Sequence, residues 1–559
     1  MKMKTSTSRK LRYGGVSAVL TALIIAVIII VNVIFSALSQ KFLWYADLTP
    51  ELLYSLSDTA LDLIENGDEK FESLSPIEMV DKAREENPDT APEDLMIDII
   101  FCDDPDTIEA NTYQRYVHHT ALELEEKFPD YFNVEHYNII RNPSSVSKFK
   151  TNSLSQIYTT SVIVSFGTEY RVHNVQSFYT FNEGETETPW AYNGEKAFVA
   201  SILAVTRAES PVACITTNHG EAFDDSQFLN TLIDAGYIVQ NLDLAADEIP
   251  EKCRLIVVFD PKSDFTVADG VADIDEIEKL DKFLDGTNSM MVFMDPDTQR
   301  LENFEEYLEE WGISYDRYTD DAGVETSHRI MDSSQALTVD GYTFKADYVT
   351  AGTGASFTTD MRSRPVPQSI IFKNAMSISY SDVYSPTHYA PEENSTDEND
   401  VAYDYASYYA NGTSRAIFDV FTTSAKAEAY AGGVLRESAS DTNKLKLMTV
   451  SVENRTTQED NYHTVNEASY VLACGSTDFA SSALLQSNSY GNTNLLLTAL
   501  RTIGKEPVPV GLEFKPFADL TIDTITTAES TQYTVVLTVV PVLVAAITGI
   551  VVIVRRKNR

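Results

Sequence analysis

The chain has 559 residues, and its 84 Asp and Glu outnumber its 42 Lys and Arg, which gives a formal net charge of -42 at neutral pH. So acidic a surface repels phosphate backbones and anionic lipid headgroups, which argues against nucleic acid as a partner. The four cysteines form no C-x-x-C pair, and at this length two or three compact domains are expected. We therefore expect buried free thiols at Cys102, Cys214, Cys253 and Cys474.

Two uncharged apolar spans lie near the ends of the chain, at 16–38 and 533–554. Each is roughly 20 residues long, which is what a helix needs to cross about 30 Å of hydrocarbon. Basic residues without acidic ones flank both spans on their terminal sides, at 1–15 and 555–559. Because positive charge stays in the cytoplasm, we expect a cell-membrane protein with both termini inside and the large middle part outside.

A cleaved signal peptide is the alternative interpretation of the first span. Its apolar core is longer than the roughly 7 to 15 residues of such peptides. The bulky Phe42 and Trp44 also stand where small cleavage-site residues belong. We therefore favour a retained anchor.

The segment after the first span, 39–92, is predicted to be a membrane-proximal helix and linker. Thr49 with Pro50, and then Ser57, are helix-start signals. From 93 to 194 the pattern predicts a small α/β domain. Its predicted elements are a strand at 95–101, a helix at 113–128, a strand at 131–140 and a hairpin of 161–166 with 169–172.

Strands alternate with helices again from 195 to 311, which predicts a parallel sheet covered on both faces. The predicted helices are 195–206, 228–235 and 274–284, and the predicted strands are 211–216, 238–242, 254–259 and 289–294.

Between 312 and 465 the pattern weakens into short β-like runs. The stretch 384–413 is rich in Tyr, Asp, Glu, Asn and Ser, which predicts a mobile surface loop. Regular patterning returns with a strand at 468–475 and a helix at 493–502. We expect the strand at 468–475 to pair with the predicted parallel sheet of 195–311. An extended tether is expected at 507–532.

Polar residues follow several predicted strands of this sheet. In open α/β sheets ligands collect at the carboxyl ends of strands. A histidine and several carboxylates there could do acid/base work or hold a metal. The simpler interpretation is that such residues cap helices and order turns. The candidate ligand-binding residues are His219, Glu221, Asp260, Asp295 and Asp478, with Asp297 beside them.

Several enzyme signatures are missing from the sequence. It contains no P-loop, so we expect no ATP hydrolysis by that route. Cys474 ends a strand but lacks a G-x-C-x-G elbow, so we predict no catalytic residue. Asp269, Asp273, Asp275 and Glu276 lack the order of an EF-hand loop, and we expect a solvated helix start instead. We predict no bound metal and no cofactor.

Taken in order, these pieces resemble the GldG-like family, the membrane-bound auxiliary components of ABC-type transport systems. The resemblance covers most of the chain, although 312–465 carries little of it. Its motifs are Asp47-Leu48-Thr49, Tyr54-Ser55-Leu56-Ser57, Glu195 and its helix, His219-Gly220-Glu221, Leu242-Asp243-Leu244 with Ile249-Pro250, Asp260-Pro261-Lys262, Asp295-Pro296, Gly475-Ser476-Thr477-Asp478-Phe479 with Asn492, and Pro541 in the last span.

The resemblance implies an exported GIFT-type domain, similar in fold to class I glutamine amidotransferases. The fold class expected is α/β: two extracytoplasmic α/β units, the second a flavodoxin- or amidotransferase-like parallel sheet, with a β-rich insertion and flanking transmembrane helices. The GIFT-like domain is expected at 195–311 and 466–506, interrupted by the insertion at 312–465. The long acidic, Tyr-rich insert departs from the family pattern.

The function expected from the resemblance is a non-enzymatic accessory subunit of an ABC-type transporter, whose permease and ATPase are separate chains. One alternative is an exported amidotransferase-like hydrolase, in which His219, Glu221 and Cys474 would converge in one cleft. Another is a free-standing envelope or adhesion protein that uses 384–413 as its binding surface.

Overall fold

The computed structural model describes most of the region between the two predicted spans. The described residues are six positions between 23 and 31, then 52–68, 74–150, 157–181, 188–207, 210–221, 226–268, 274–362, 367–391, 401–410, 413–458, 464–487, 489–504 and 507–517. The chain divides into a compact unit, 1–515, and a C-terminal unit, 516–559, and the fold below belongs to the first.

The predicted membrane spans lie almost wholly outside the described residues, as do both basic tails, the Asp47-Leu48-Thr49 motif and most of the tether. Six positions of the first span are described, and all six are helical with exposed side chains. Within the described ranges, none of the helices combines the length and apolar character that crossing a bilayer requires.

The first region is a small α/β sheet with the strand order β2-β1-β3-β4. The predicted strands, helix and hairpin are confirmed, with the second strand shorter than expected. β1 runs parallel to β2 and antiparallel to β3. The elements are α1 (Asp58–Glu65), α2 (Pro76–Glu86), β1 (Ile97–Phe101), α3 (Pro105–Ala110), α4 (Thr112–Lys127), β2 (Phe132–His136), β3 (Ser161–Phe166), β4 (Glu169–Asn174), β5 (Tyr179–Phe181) and β6 (Pro189–Tyr192).

Short polar side chains start the first helices. The Ser57 hydroxyl accepts the Ala60 N–H at 3.2 Å, which confirms Ser57 as a helix start. Ser75 and Glu78 form a reciprocal capping box at the start of α2. These bonds satisfy backbone donors that have no partner within a helix, so both helix starts are readable from local sequence.

The second region begins with alternating helices and strands at the predicted places. The elements are α5 (Gly194–Thr206), β7 (Val212–Thr216), α6 (Ser226–Asp234), β8 (Ile238–Leu242), β9 (Cys253–Phe259), α7 (Glu276–Asp285), β10 (Ser289–Phe293) and α8 (Glu302–Glu310). β7 pairs in parallel with β8 and β9, and β9 pairs in parallel with β10.

A β-rich region follows, built from short strands and one long antiparallel ladder. The elements are β11 (Ile313–Tyr315), β12 (Arg317–Thr319), β13 (Glu325–Ser327), β14 (Arg329–Met331), β15 (Thr343–Lys345), β16 (Asp347–Tyr348), α9 (Thr353–Ser356), α10 (Thr359–Arg362), β17 (Ile371–Lys373), β18 (Ile378–Tyr380), β19 (Ser385–Tyr389), β20 (Tyr403–Ala410), β21 (Thr413–Thr422), β22 (Glu428–Ala431), β23 (Val434–Ser438) and β24 (Lys446–Gln458).

The predicted mobile loop at 384–413 is wrong where the structure describes it. β19 pairs with β20, and β20 pairs with β21, so the Tyr-rich stretch extends the sheet. Tyr389 stacks on Tyr403 with ring centroids 4.9 Å apart, and Tyr405 stacks on Phe418 at 5.1 Å. Cross-strand aromatic pairs stabilise a hairpin whose overall composition resembles that of a loop. Residues 392–400 and 411–412 of this stretch lie outside the described ranges.

The chain returns to the parallel sheet after the β-rich region, as predicted. The last elements are β25 (Thr464–Cys474), α11 (Ser482–Leu485), α12 (Asn492–Gly504) and β26 (Lys515–Pro516). β25 pairs in parallel with β10 and antiparallel with β24. One sheet therefore runs in the order β19-β20-β21-β24-β25-β10-β9-β7-β8, with five parallel strands at one end.

Buried side chains cover both faces of the inner parallel strands, as predicted, whereas the edge strand β8 is largely exposed. Along β9, Leu255 and Val257 pack into one apolar cluster, and Ile256 and Val258 pack into another. All four cysteines are free and buried, which confirms the expectation for them. The fold shown is thus a mixed α/β structure with parallel sheet portions and a β-rich region.

The two ends of the described body meet at one buried carboxylate. Glu195 is only 4 % exposed. Its carboxylate accepts a hydrogen bond from the Ser57 N–H and forms an ion pair with the Lys515 ammonium at 2.9 Å. The Lys515 ammonium also donates to the backbone carbonyls of Leu52, at 3.2 Å, and Ser55. These contacts join the first and last segments of the body, and we call the residues that make them the stem clamp: Leu52, Ser55, Ser57, Glu195 and Lys515.

Replacing Lys515 with Met is expected to lower the free energy of unfolding by about 3 kcal/mol, because it leaves the buried Glu195 carboxylate without its cation. The measurement is chemical denaturation of the full chain in mild detergent, followed by tryptophan fluorescence. Lys282→Met is the matched control, since Lys282 and its partner Glu278 are 69 % and 58 % exposed. Lys282→Met should lower the free energy of unfolding by less than about 0.5 kcal/mol. Equal losses in both variants would contradict the clamp.

Candidate functional site

The candidate residues follow the strands of the parallel sheet at its carboxyl edge. The chain begins this sheet at β7, places β8 on one side and then crosses to β9 on the other. Such a reversal leaves a crevice between the loops after β7 and β9, where ligands bind in open α/β sheets. His219 lies in the first loop and Asp260 in the second.

His219 is held between two glutamates. Its Nδ1 lies 3.3 Å from Glu221 and its Nε2 lies 3.2 Å from Glu276. The ring stacks on Phe265 with centroids 3.9 Å apart, and only 4 % of the residue is exposed. The Glu276 carboxylate also accepts the N–H and the hydroxyl of Thr266 at 2.8 and 2.9 Å. We call His219, Glu221 and Glu276 the histidine cluster.

Electrostatic interactions favour the charged form of all three residues of the histidine cluster. Burial by itself opposes the imidazolium form, but the hydrogen bonds and negative charges of both glutamates raise the pKa of His219 to about 9. Burial likewise opposes ionisation of the glutamates, yet the hydrogen bond from His219 lowers the pKa of Glu221 and of Glu276. An imidazolium bonded through both nitrogens is a poor general base. The cluster joins the loop after β7 to the first turn of α7.

The expectation of a solvated helix start at Glu276 is wrong. Asp275 does begin α7, since its side chain accepts the Glu278 N–H at 2.7 Å. Glu276, however, is only 1 % exposed and bonds to His219 and Thr266. The loop after β7 lies against the first turn of α7, and this contact has no local sequence signal. Asp269 and Asp273 lie outside the described residues.

The loops after β7 and β9 are locked together through backbone bonds. The N–H groups of Lys262 and Ser263 both donate to the His219 carbonyl, at 2.7 and 2.8 Å. Asn218 and Asp260 adopt positive φ angles of 82° and 55°, a conformation that costs a non-glycine residue about 1 to 3 kcal/mol. Such backbone persists only where its surroundings enforce it, so this part of the edge is rigid.

Asp260 forms the next group along the edge. It pairs with the Lys262 ammonium and accepts a hydrogen bond from the Thr298 hydroxyl at 3.3 Å. Burial, aided by the nearby charge of Asp295, raises its pKa despite the lysine. Asp295 in turn accepts from the Thr477 hydroxyl at 3.2 Å. Hydrogen bonds between side chains thus link the loop after β9 to the loop after β10, and that loop to the loop after β25.

Asp478 and Asp297 make separate contacts further along. Asp478 pairs with Lys373 at 3.1 Å and accepts from the Asn374 amide at 2.8 Å. Asp297, with a side chain 80 % exposed, pairs with Arg329 at 2.5 Å. The structure therefore brings the candidate residues to one edge, as predicted, but pairs each with its own neighbours.

Cys474 does not present a thiol to this edge. It is fully buried, and its Sγ donates to the Ser476 carbonyl at 3.3 Å. Burial raises the pKa of the thiol well above its ordinary value, so the thiolate that nucleophilic attack requires is disfavoured.

A cavity of about 360 Å³ lies near the opposite, amino edge of the parallel strands, away from the candidate residues. It is lined by Pro211, Tyr237, Lys252, Arg254 and Thr287, among others. The sequence pattern predicted no function for this edge.

A second group of potential ligands, unforeseen from sequence, lies in the β-rich region. One potential ligand atom each from Asp316, His328 and Glu437 lie within 4.8 Å of one another. Their sequence spacing matches no metal-binding motif, because the convergence depends on how β12, β13 and β23 are placed. No local signal could have found them.

Comparison with known proteins does not assign the chain: no protein-family model matches it, and no curated protein matches it either.

The histidine cluster predicts a specific dependence of stability on pH. The folded-state pKa of His219 is raised from 6.5 to about 9, so its contribution is complete below pH 6.5 and is lost as pH rises through 9. The stability difference between the wild type and His219→Gln should therefore shrink by roughly 2 kcal/mol between pH 7.5 and pH 9.5. Urea unfolding at both pH values measures it.

His388→Gln is the control for this experiment, since the His388 side chain is 61 % exposed. It should change the free energy of unfolding by less than about 0.5 kcal/mol at either pH. A His219→Gln difference that stays constant across the range would show that the cluster is not charged.

Proposed function

We propose that this chain is a non-enzymatic accessory subunit of an ABC-type transporter, anchored in the cell membrane and presenting its α/β body outside. The ordered motifs that resemble the GldG-like family support this proposal. The strand order β8-β7-β9-β10-β25 supports it as well, because with β7 as strand 1 it reads 2-1-3-4-5, the order of flavodoxin-like sheets. That order suits a GIFT-type domain interrupted by an insertion.

The stem clamp is the observation on which the proposal mainly depends. Two anchors in one membrane require the body to begin and end on the same side. Leu52 and Lys515, near the two ends of the described body, are joined by a hydrogen bond of 3.2 Å. Only short segments, 39–51 and 516–532, separate this point from the predicted spans. The clamp thereby favours a body whose first and last segments lie close together, as two anchors in one membrane require.

The mechanism of such a subunit is positional. Two attachment points restrict the tilt and rotation of the body more than a single flexible tether would. The body then presents one rigid edge to a neighbouring permease, whose ATPase is a further chain. Both termini lie in the cytoplasm in this arrangement, with the acidic body on the outer side.

The carboxyl edge offers a surface suited to a protein partner. Exposed cations alternate there with exposed carboxylates: the side chains of Lys262 and Lys373 are 43 % and 48 % exposed, and that of Asp297 is 80 % exposed. Alternating charge on a rigid backbone suits the polar rim of an interface, where it sets orientation and specificity. We assign His219 and Glu221 to building this surface, and Asp260, Asp295 and Asp478 to its contact rim.

The hydrolase alternative requires a reactive thiol beside His219 and Glu221. Cys474 is sealed in the core and the histidine cluster is internally bonded, so neither observation favours that alternative. Two observations favour the adhesion alternative. Tyr409 on β20 is 77 % exposed, and β19 is the outermost strand of its sheet. Replacing the exposed Tyr409 with Ser should abolish surface binding, with folding intact, if adhesion is the function.

Co-purification tests the transporter proposal. The tagged full chain, extracted from its native membranes in mild detergent, should bring down a polytopic permease and an ATPase in fixed ratio. A double variant, Lys515→Met with Glu195→Gln, should reduce their recovery while the chain itself is still produced, because the clamp no longer fixes the body. Lys282→Met is the control and should recover both partners normally. Repeated recovery of the chain alone, across several gentle detergents, would count against the proposal.

Cysteine labelling tests the topology. The four native cysteines are buried, so an introduced cysteine gives a clean signal with a membrane-impermeant maleimide. Val339→Cys, at a fully exposed position, should label in intact cells, whereas Lys557→Cys should label only after lysis. The reverse pattern would invert the topology and overturn the proposed role.

A further inference from the structure

Three side chains from separate segments converge in the β-rich region. Asp316 lies between β11 and β12, His328 between β13 and β14, and Glu437 on β23. A nitrogen of the His328 ring and one oxygen from each carboxylate lie within 4.8 Å of one another, and all three residues are partly buried. Ligand atoms bound to one metal ion lie about 3 to 4.5 Å apart, given metal–ligand distances of about 2.0 to 2.2 Å.

Backbone hydrogen bonds hold the first two residues in place. The His328 N–H donates to the Asp316 carbonyl at 2.9 Å, extending the β12–β13 ladder by one pair. Ser377 bridges the same two residues: it accepts from the Asp316 N–H at 3.0 Å and donates to the His328 carbonyl at 3.2 Å. The site is therefore built on paired backbone, which suits rigid coordination.

Two polar side-chain atoms of these residues have no hydrogen-bond partner in the described ranges. The Nδ1 atom of His328 is buried and has no hydrogen-bond partner within the described part of the chain. The hydroxyl of Ser377, a residue only 1 % exposed, is unpartnered as well. Buried polar atoms are nearly always bonded to protein, water or an ion. The ring nitrogen of His328 is therefore free to bind a ligand at the cluster.

The nearby cations are engaged elsewhere. Arg317, next to Asp316, pairs with Glu305 at 2.8 Å. Arg329, next to His328, pairs with Asp297 at 2.5 Å. Arg436, next to Glu437, lies over the Tyr318 ring. Asp316 and Glu437 thus face each other with no protein cation bound to either carboxylate in the described ranges, and a positive ion would balance them.

We propose that Asp316, His328 and Glu437 bind a divalent transition-metal ion, Zn²⁺ or Mn²⁺. An imidazole nitrogen with two carboxylate oxygens suits these ions better than Mg²⁺ or Ca²⁺, which prefer oxygen ligands alone. Three protein ligands leave further coordination positions for water or a bound group. The ion would join the β12–β13 hairpin to the three-stranded sheet β14-β22-β23. This inference is independent of the transporter proposal.

Metal titration of the full chain tests the site. The chain, purified in mild detergent and stripped with a chelator, is titrated with ZnCl₂ and with MnCl₂ by calorimetry. Millimolar MgCl₂ is present throughout to saturate weak sites on the acidic surface. One equivalent of either ion should bind tightly and raise the melting temperature. Asp316→Asn, His328→Gln and Glu437→Gln should each weaken binding at least tenfold. No binding above that of the triple variant would overturn the proposal.

A matched control and a spectroscopic readout separate ligation from folding. His388 and Asp404 form another histidine–carboxylate pair, at 2.7 Å, and both side chains are largely exposed. His388→Gln should leave affinity and stoichiometry unchanged. In the Mn²⁺-loaded chain, pulsed electron paramagnetic resonance should detect one coordinated imidazole nitrogen, which His328→Gln abolishes. If a substitution at 316 or 328 unfolds the chain, Glu437→Gln on the edge strand β23 decides the outcome. Retention of the nitrogen signal in His328→Gln would refute the assignment.

Discussion

The insertion of β25 between β10 and β24 is the constraint on which the rest of the structure depends. β25 pairs in parallel with β10 through Met290 to Phe293 and antiparallel with β24 through Met448 to Gln458. Through these two ladders the parallel strands and the long antiparallel strands become one sheet. The β-rich region is therefore bound by backbone hydrogen bonds to the unit from which it departs. Parallel pairing across so long a connection is costly in loop entropy, and the two buried faces offset that cost.

Buried charge is the second organising feature of this acidic chain. A buried charge is tolerated when it is paired and hydrogen-bonded, and here the pairs connect elements that are far apart in sequence. Glu195 joins the first and last segments of the body. The histidine cluster joins the loop after β7 to α7. Arg317 with Glu305 joins the β-rich region to α8. Each pair orients one piece of structure against another.

These two features together support the proposed anchoring and presenting role. The sheet makes the body stiff, and the stem clamp brings its two ends to one place. The carboxyl edge is covered by loops whose polar groups are already bonded, so it offers a shaped and charged surface. The proposed metal site would add a further cross-link in the β-rich region.

Much of the secondary structure could be predicted because its signals are local. Ser57 begins a helix through a bond to an amide three residues away, and the apolar run of β9 shows a strand buried on both faces. The prediction of a loop for the Tyr-rich stretch is wrong because the signal there is not local. Aromatic pairs across strands stabilise β19 and β20, and amino-acid composition does not show which strands pair.

The candidate site shows the same difference between local signals and tertiary contacts. The sequence placed His219, Asp260 and Asp295 at the carboxyl edge, since each directly follows a strand and parallel strands end together. It did not show that Glu276 binds His219, nor that Asp316, His328 and Glu437 converge. By itself the sequence determined which segments are helices and strands, because hydrophobic periodicity and capping act over a few residues. The tertiary structure alone decided which distant side chains meet, because register and crossover bring them together and neither leaves a local pattern.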